Sequence, residues 1–453
     1  MTTLSTAPAA GPGMTAGPET TADTGTASDT GTTAPTGTTA RPDDNASWAL
    51  PPAPAYGIRG RVAKQVVARI LRKVPVTARL STGETYGARG EPAIEITDPE
   101  ALFARLGASP MIGLGESYMA AEWSAAPDTD LADVLTPFAE RLTDLIHPAF
   151  YRLRHAVLPR GLNPENTKHG ARKNIEQHYD LSNEMFGAFL DPSLSYSSAL
   201  FEKLEPAPTM ADLEPAQLRK VDAILDSAGV RAGSRVLEIG TGWGTLAIRA
   251  AQRGADVTTI TLSAEQAELA QQRVDAAGVS DRVDIALRDY RDQTGEFDAV
   301  VSVEMIEAVG ERYWPTYFSK IDSLLAPGGK GAIQAILMEH HRYLATRDTY
   351  TWIHKYIFPG GLLPSVEAIE QVVGEHSSLA VSDVSPLGKH YAHTLRLWRE
   401  KFGIRWPDIA SLGFGETFRR MWEFYLAYCE AGFRAGYLDV AQITLERPSG
   451  DAR

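Results

Sequence analysis

The chain has 453 residues, more than one ordinary hydrophobic core accommodates, which predicts two folded domains with tails. Its 43% hydrophobic and 22% charged residues are typical of a soluble globular protein, and its net charge of −13 argues against a general nucleic-acid-binding protein. The single cysteine, Cys429, excludes an intrachain disulfide and a multi-cysteine metal site, and it fits a reducing compartment.

The N-terminal region has the composition of a solvated tail. Residues 1–46 consist mostly of Thr, Ala, Gly, Pro, Ser and Asp, which predicts disorder. Residues 1–30 lack the basic and apolar segments of a secretory signal, and no later stretch offers the ~18 apolar residues of a membrane span. We therefore expect a cytoplasmic protein that reaches any membrane lipid from the inner face of the plasma membrane.

A basic segment follows the tail. Residues 57–80 carry seven basic side chains and no acidic one. Val62, Val66 and Ile70 recur at helical spacing, which predicts an apolar stripe flanked by cations. Two interpretations stay open: a helix that docks on anionic lipid, or a core-facing helix with a solvated basic face.

The segment composition predicts the domain boundaries. Residues 47–150 are predicted to form a small N-terminal lipid- or membrane-docking domain, with a strand at Ala93–Thr97 and a helix at Leu131–Ile146. A basic linker at 151–175, a catalytic domain at 176–447 and a short tail at 448–453 complete the prediction.

Strands and helices alternate from Ser234 onward. The predicted strands are Arg235–Ile239, Asp256–Leu262, Arg282–Leu287, Phe297–Val303 and Gly331–Leu337. The predicted helices are Thr245–Gln252, Ala264–Ala277 and Tyr313–Leu325, the last ending before Pro327-Gly328-Gly329. This alternation predicts an α/β fold with a doubly wound, Rossmann-like parallel sheet, in which ligands bind at the carboxyl ends of the strands.

The most informative motif follows the first of these strands. Gly240, Gly242 and Gly244 form G-x-G-x-G, preceded by Glu238. Dinucleotide sites use G-x-G-x-x-G instead, with the pyrophosphate at the helix N-terminus. The early third glycine favours S-adenosylmethionine, while a dinucleotide and a purely structural turn remain the alternatives. The acid usual at the end of the second strand is absent, and Thr261, Ser263 and Gln266 stand there as candidates to replace it.

Several ordered stretches resemble one family. They are Gln177–Leu181, Tyr196–Ser198, Val236–Gly244, Thr261–Gln266, Asp289–Asp292, Met305–Gly310, Lys355–Gly361 and Tyr425–Phe433. Over about residues 165–447 the chain is similar to the cyclopropane-fatty-acyl-phospholipid synthases and mycolic-acid methyltransferases, and it resembles the actinobacterial members that begin 10-methyl-branched fatty acids. The N-terminal region looks like the small lipid-binding domain of the longer members.

The resemblance implies a class I S-adenosylmethionine-dependent methyltransferase and assigns roles by position. The implied cofactor residues are Tyr196, Ser197, Leu237, Glu238, Ile239, Gly240, Thr241, Gly242, Trp243, Gly244, Thr261, Leu262, Ser263, Gln266, Asp289, Tyr290 and Arg291. The implied catalytic positions are Glu307, Tyr391, Ser198, Gln334, Ile336, His178 and Cys429.

This catalytic set departs from the cyclopropane pattern. Glu307 and Tyr391 match residues that hold a bicarbonate ion, the general base in cyclopropane formation, and Ile336 keeps its place. Ser198 stands where the family has Cys, and Gln334 stands where it has the bicarbonate-binding His. Cys429 matches a cysteine once proposed as a nucleophile, but the reaction needs no covalent enzyme intermediate, and a buried small side chain is favoured.

The altered base site favours a methylene-branched product over a cyclopropane. Methyl transfer to an alkene leaves a carbocation, which aromatic faces such as those of the run Tyr350–Phe358 and of Tyr391 would stabilise if they are not plain core. The expected partners are an unsaturated phospholipid, an anionic membrane surface and a separate reductase; a homodimer stays open. The competing classes are a dinucleotide oxidoreductase and a non-catalytic lipid-binding protein.

Overall fold

The computed structural model describes residues 49–87, 90, 92–145 and 182–448. The predicted tail at 1–46, the linker at 151–175 and His178 lie outside these residues. Among the described residues, no helix combines the length and apolarity that crossing a bilayer requires.

The described elements run as follows. The helices are α1 (Ile58–Leu71), α2 (Pro99–Ala108), α3 (Pro110–Met119), α4 (Leu131–Leu145), α5 (Asn183–Phe189), α6 (Met210–Ser227), α7 (Thr245–Gln252), α8 (Ala264–Ala276), α9 (Ile306–Val309), α10 (Trp314–Leu324), α11 (His340–Thr346), α12 (Trp352–Tyr356), α13 (Val366–His376), α14 (Gly388–Ile404), α15 (Trp406–Ser411) and α16 (Glu416–Arg434). The strands are β1 (Thr77–Leu80), β2 (Thr85–Gly87), β3 (Ala93–Ile96), β4 (Trp123–Ala125), β5 (Arg235–Ile239), β6 (Asp256–Thr261), β7 (Val283–Leu287), β8 (Phe297–Val303), β9 (Leu325–Met338), β10 (Ala380–Pro386) and β11 (Leu438–Glu446).

A mostly parallel sheet forms the centre of the large region. Its seven described strands lie in the order β10-β11-β9-β8-β5-β6-β7. Strands β9, β8, β5, β6 and β7 are parallel, as predicted, whereas β11 runs antiparallel to both β9 and β10. The predicted doubly wound sheet is therefore confirmed, and the antiparallel β11 makes the sheet as a whole mostly parallel. The β10 and β11 segments lay outside the alternating region from which the sheet was predicted.

Helices cover both faces of this sheet. Val236 of β5 packs into one buried cluster with Ala247 of α7, while its neighbour Leu237 packs into another with Trp314 of α10. Successive strand residues point to opposite faces, so a strand buried on both sides has a continuous apolar sequence. This packing confirms the α/β class and places the carboxyl ends of β5, β6 and β8 at one edge.

Most predicted boundaries agree with the structure to within one residue, and β9 is the exception. It begins at Leu325 rather than Gly331 and runs through Pro327-Gly328-Gly329. Phe297 pairs with Leu325, and the register then shifts before Ala299 pairs with Lys330. The Pro-Gly-Gly segment is therefore an irregularity within the pairing and does not delay the start of the strand.

The N-terminal region contains a smaller sheet with strand order β2-β1-β3-β4. Arg420 of α16 donates from Nη2 to the Trp123 carbonyl at 2.8 Å, and α4 and α3 both pack on α16. The predicted apolar stripe of α1 (Val62, Val66 and Ile70) is not buried: Ile70 at its end is half-buried, and the buried apolar residue is the neighbouring Leu71. Leu71 is buried, while Val62 and Val66 are 54% and 46% exposed.

Candidate active site

The glycine turn lies in the middle of the sheet edge, directly after β5. Gly240, Gly242 and Gly244 have φ values of +101°, +51° and +86°, a region that favours glycine. A Cβ at Gly242 would have no atom within 4 Å, whereas one at Gly244 would lie 3.2 Å from the Ala270 Cβ. The backbone is therefore open to a ligand at Gly242, in ordinary contact range of Met305 Cγ (3.6 Å from a Cβ) at Gly240, and packed against α8 at Gly244.

Glu238 lies beneath this turn. It is 4% exposed, and its Oε2 accepts a hydrogen bond from Thr259 Oγ1 at 2.7 Å. The Thr259 and Thr241 hydroxyls lie 2.8 Å apart. Burial raises the pKa of Glu238 to about 8, and the charge of Lys220 opposes the shift. The carboxyl group thus ties the ends of β5 and β6 together, and a contact with the cofactor stays a prediction.

The neighbouring strands carry the other predicted cofactor residues to the same edge. Thr261 ends β6, and its hydroxyl donates to Gln266 Oε1 at 3.1 Å. Ser263 caps α8 by accepting the Gln266 N–H, and Leu262 between them is half-buried. After β7, Asp289 accepts two hydrogen bonds from the Arg291 guanidinium, at 2.8 and 2.6 Å. These contacts orient the polar groups that the motif predicted.

The segment that begins with α5 contacts the glycine turn and α6. Asn183 accepts from the Trp243 indole N–H at 2.8 Å, and the Thr245 hydroxyl donates to the Ser193 carbonyl. Further along, Ser197 Oγ accepts from Lys220 Nζ at 2.5 Å. Burial lowers the pKa of Lys220 to about 8. Tyr196 and Ser197 are thereby held beside the sheet edge.

A carboxylate that the sequence analysis missed lies at the end of β8. Glu304 Oε1 accepts from the Ser198 backbone N–H at 2.9 Å and from Gln334 Nε2 at 2.8 Å. Its Oε2 accepts from the Tyr391 hydroxyl at 2.8 Å. Its φ of +49° is a conformation that costs a non-glycine residue about 1–2 kcal/mol. Its position directly after a strand, at the ligand-binding edge, was the available signal.

Glu307 lies three residues further on, in α9. Its Oε1 accepts from the Ile336 backbone N–H, and its buried Oε2 has no hydrogen-bond partner among the residues that the structure describes. Burial and then the nearby charge of Glu304 raise the pKa of Glu307 to about 8. The structure therefore brings together five of the predicted catalytic positions: Ser198, Glu307, Gln334, Ile336 and Tyr391.

Aromatic rings surround this cluster. The Tyr391 ring lies 4.6 Å from Phe433, and the Tyr196 ring stacks on Trp398 at 5.2 Å. The hydroxyls of Tyr196 and Tyr425 are 2.9 Å apart.

Two aromatic residues of the run Tyr350–Phe358 pack in the hydrophobic core instead of lining this cluster. Trp352 donates to Met119 Sδ, and Tyr356 donates to Glu116 Oε1 at 2.8 Å, so both pack against α3. Phe358 packs on Tyr425, with ring centroids 5.8 Å apart.

Cys429 lies on α16 and is half-buried. Burial raises the pKa of its thiol to about 12, so the thiolate that a nucleophile requires does not form near neutral pH. This environment supports the interpretation of Cys429 as a small packing residue.

Comparison with known proteins places this geometry in a family. Residues 166–443 match the family model described as mycolic acid cyclopropane synthetase. The chain belongs to this family. It is 52% identical over 404 residues to the tuberculostearic acid methyltransferase UfaA1 of Mycobacterium tuberculosis. The aligned residues cover 88% of this chain and 94% of that protein. It is 36% identical over 358 residues to the cyclopropane-fatty-acyl-phospholipid synthase of Escherichia coli, covering 78% and 87%.

A solved structure of the family agrees with the fold. The mycolic acid cyclopropane synthase CmaA1 complexed with SAH and CTAB superimposes with a TM-score of 0.55 at 30% identity, covering 60% of this chain and 97% of that one. The protein is an S-adenosylmethionine-dependent methyltransferase of fatty acyl chains. The open glycine turn fits that cofactor, whose sulfonium supplies an electrophilic methyl group.

The same residues do not fit a bicarbonate ion. The Ser198 N–H, the Gln334 amide and the Tyr391 hydroxyl all donate to Glu304, and the Ile336 N–H donates to Glu307. The donors that the family resemblance assigned to the ion are thus engaged by carboxylates of the chain itself.

Proposed function

We propose that this synthetase-family enzyme methylates the double bond of an unsaturated phospholipid acyl chain and releases a methylene-branched chain, the precursor of a 10-methyl-branched one. The observation that carries the proposal is the rebuilt proton-acceptor site, in which Glu304 receives the hydrogen bonds of Ser198, Gln334 and Tyr391. The 52% identity to a tuberculostearic acid methyltransferase over almost the full length of both chains supports the same product class.

The chemistry requires alignment, a dry pocket and a base. The alkene attacks the sulfonium methyl, so the C–S bond breaks, a C–C bond forms and the neighbouring carbon becomes cationic. A hydride then moves from the methyl-bearing carbon to that cation, which leaves a tertiary cation. The new methyl group then loses a proton, and its C–H electron pair becomes the C=C bond of the methylene branch. Without the hydride shift, the same proton loss closes a cyclopropane.

The aromatic walls suit the cationic intermediates. We assign to Tyr391, Tyr425 and Phe358 the role of facing the charge, since a desolvated aromatic face stabilises a cation by up to about 2 kcal/mol. Burial raises the pKa of Tyr391 and of Tyr425 well above the usual 10, so both hydroxyls stay neutral, and that of Tyr391 donates to Glu304.

The test is the structure of the product made by purified enzyme, S-adenosylmethionine and oleoyl phospholipid alone. Cyclopropane and methylene products have the same mass, so proton NMR of the released fatty acids must separate olefinic from cyclopropyl signals. We expect the =CH2 signals of a methylene branch, which differ from the –CH=CH– signals of the unreacted oleoyl chain. A cyclopropyl product would overturn the proposal, as would an unchanged lipid.

We further propose that residues 47–150 form a membrane-docking domain ahead of a catalytic domain at 176–447. Its docking surface is the outer face of α1, where Ile58, Val62 and Val66 are 76%, 54% and 46% exposed. Arg59, Arg61, Arg69, Arg72 and Lys73 are exposed around them. Exposed apolar groups bordered by cations match the interface of an anionic bilayer.

Vesicle sedimentation tests this surface. Phosphatidylglycerol vesicles should bind the protein more strongly than phosphatidylcholine vesicles, and salt should weaken the binding. The double variant Val62→Asp, Val66→Asp should lose most of the binding. Ile404→Asp alters an apolar residue outside this surface that is even more exposed, at 75%, and should bind normally. Equal binding by the double variant and the wild type would remove α1 from the docking surface.

A further inference from the structure

The strongest unassigned feature is the environment of the Glu304 carboxylate. Three donors from three separate parts of the fold converge on it: the Ser198 N–H from the segment before α6, the Gln334 amide from β9 and the Tyr391 hydroxyl from α14. Gln334 is itself held, because its Oε1 accepts from Gln442 Nε2 at 3.1 Å. The three donors thus hold the planar carboxylate group of Glu304 in one orientation.

The position of this carboxylate is maintained at a cost. Glu304 has a left-handed backbone, with φ +49°, although it is not glycine. The nearby buried ammonium of Lys220 donates to Ser197 Oγ rather than to Glu304. The charge of Lys220 still favours the ionised form of Glu304, but backbone preference does not explain a non-glycine residue here, and such strained residues concentrate at functional sites.

We propose that Glu304 is the general base of the reaction, a carboxylate of the chain in the place where similar enzymes hold bicarbonate. It accepts the proton lost from the newly added methyl group, and the C–H electron pair becomes the new C=C bond. The carboxylate becomes a neutral carboxylic acid, so charge balances as the cation is discharged. This inference rests on the proposed function and names the proton acceptor within it.

The paired acid Glu307 explains how Glu304 stays ionised. Burial raises the pKa of both groups, but the three donors and the charge of Lys220 counteract the shift at Glu304. Glu307 accepts from the Ile336 N–H, and its Oε2 has no hydrogen-bond partner within the described part of the chain. Two neighbouring carboxyl groups avoid ionising together, so the proton stays on Glu307 and the charge on Glu304.

Two substitutions and control of dissolved bicarbonate test the base assignment. Glu304→Gln keeps the shape of the side chain but removes its basicity, and turnover should fall by roughly a hundredfold or more. Glu304→Gly removes the side chain, suits the left-handed backbone and leaves the three donors free. Added bicarbonate or formate should raise the turnover of the glycine variant at least tenfold. It should not raise the turnover of the glutamine variant.

Wild-type turnover should be the same in carbonate-stripped buffer and with added bicarbonate. Glu311→Gln is the control, since Glu311 bonds Tyr343 and Arg347 outside the site and its loss should leave turnover unchanged. S-adenosylmethionine affinity and Tm report whether each variant is folded. The assignment fails if the wild type needs bicarbonate, or if Glu304→Gln keeps more than about a third of the rate. If the wild type makes no methylene product, the proposed function fails instead.

Discussion

Tyr391→Phe isolates one hydrogen bond of the proton-acceptor site. The hydroxyl donates to Glu304 Oε2 at 2.8 Å, and the side chain is 5% exposed. The phenylalanine ring retains the packing against Phe433, 4.6 Å away, so the fold should survive the change. The substitution therefore removes a donor from the carboxylate and leaves the pocket shape intact.

The size of the effect follows from the bond that is lost. A hydrogen bond to a charged acceptor contributes about 1.5–3 kcal/mol. Because that bond stabilises the ionised form of Glu304, its loss should lower the ionised fraction of the base near neutral pH, and kcat with it, by up to roughly ten- to 150-fold. The pKa of Glu304, which burial already raises, should rise further in this variant.

The assay is transfer of labelled methyl groups to oleoyl phospholipid as a function of pH. The acidic limb of the rate profile should move to higher pH, while the Kd for S-adenosylmethionine stays unchanged. Tyr343→Phe is the matched control, because that hydroxyl donates to Glu311 at 2.6 Å and is equally buried, yet lies outside the site. A rate within about threefold of wild type and an unmoved acidic limb would refute the reasoning.

Three further predictions concern the cofactor turn, the cysteine and the buried acid. Gly242→Ala should weaken S-adenosylmethionine binding at least tenfold, as measured by calorimetry. Gly229 also has a positive φ and open space around it, and Gly229→Ala should not weaken the binding. Equal affinities of the two variants would show that the ligand does not approach the backbone at Gly242. Cys429→Ala should keep turnover within about threefold of wild type, because burial raises the thiol pKa to about 12. A hundredfold loss of turnover would instead support Cys429 as a nucleophile. Burial raises the pKa of Glu307 from 4.5 to about 8, so the folded protein holds a proton that the unfolded chain releases. The free energy of unfolding of Glu307→Gln should therefore rise relative to that of the wild type as the pH increases from about 5 to 8, by up to about 1.4 kcal/mol per pH unit. If denaturant unfolding shows a difference between the two proteins that does not depend on pH, this prediction is wrong.

Local patterns predicted the catalytic fold well. The apolar run of β5, its three glycines and the amphipathic α7 depend on residues close together in sequence, so their bounds agree with the structure. The outer face of α1 was harder, because helical spacing shows that Val62 and Leu71 are apolar but not which neighbour covers each. Trp352 and Tyr356 looked equally suited to a cation site or a core, and packing against α3 settled their contacts.

The family, the methyltransferase sheet and the sulfonium-binding turn were all accessible from the order of the amino acids, because glycine spacing and strand periodicity are short-range properties. The proton-acceptor site was not accessible in this way. The donors to Glu304 stand 106, 30 and 87 residues away along the chain, and a single acid after a strand carries no mark of them. Folding brings the three donors to one carboxylate, and burial among them turns an unremarked glutamate into the candidate base.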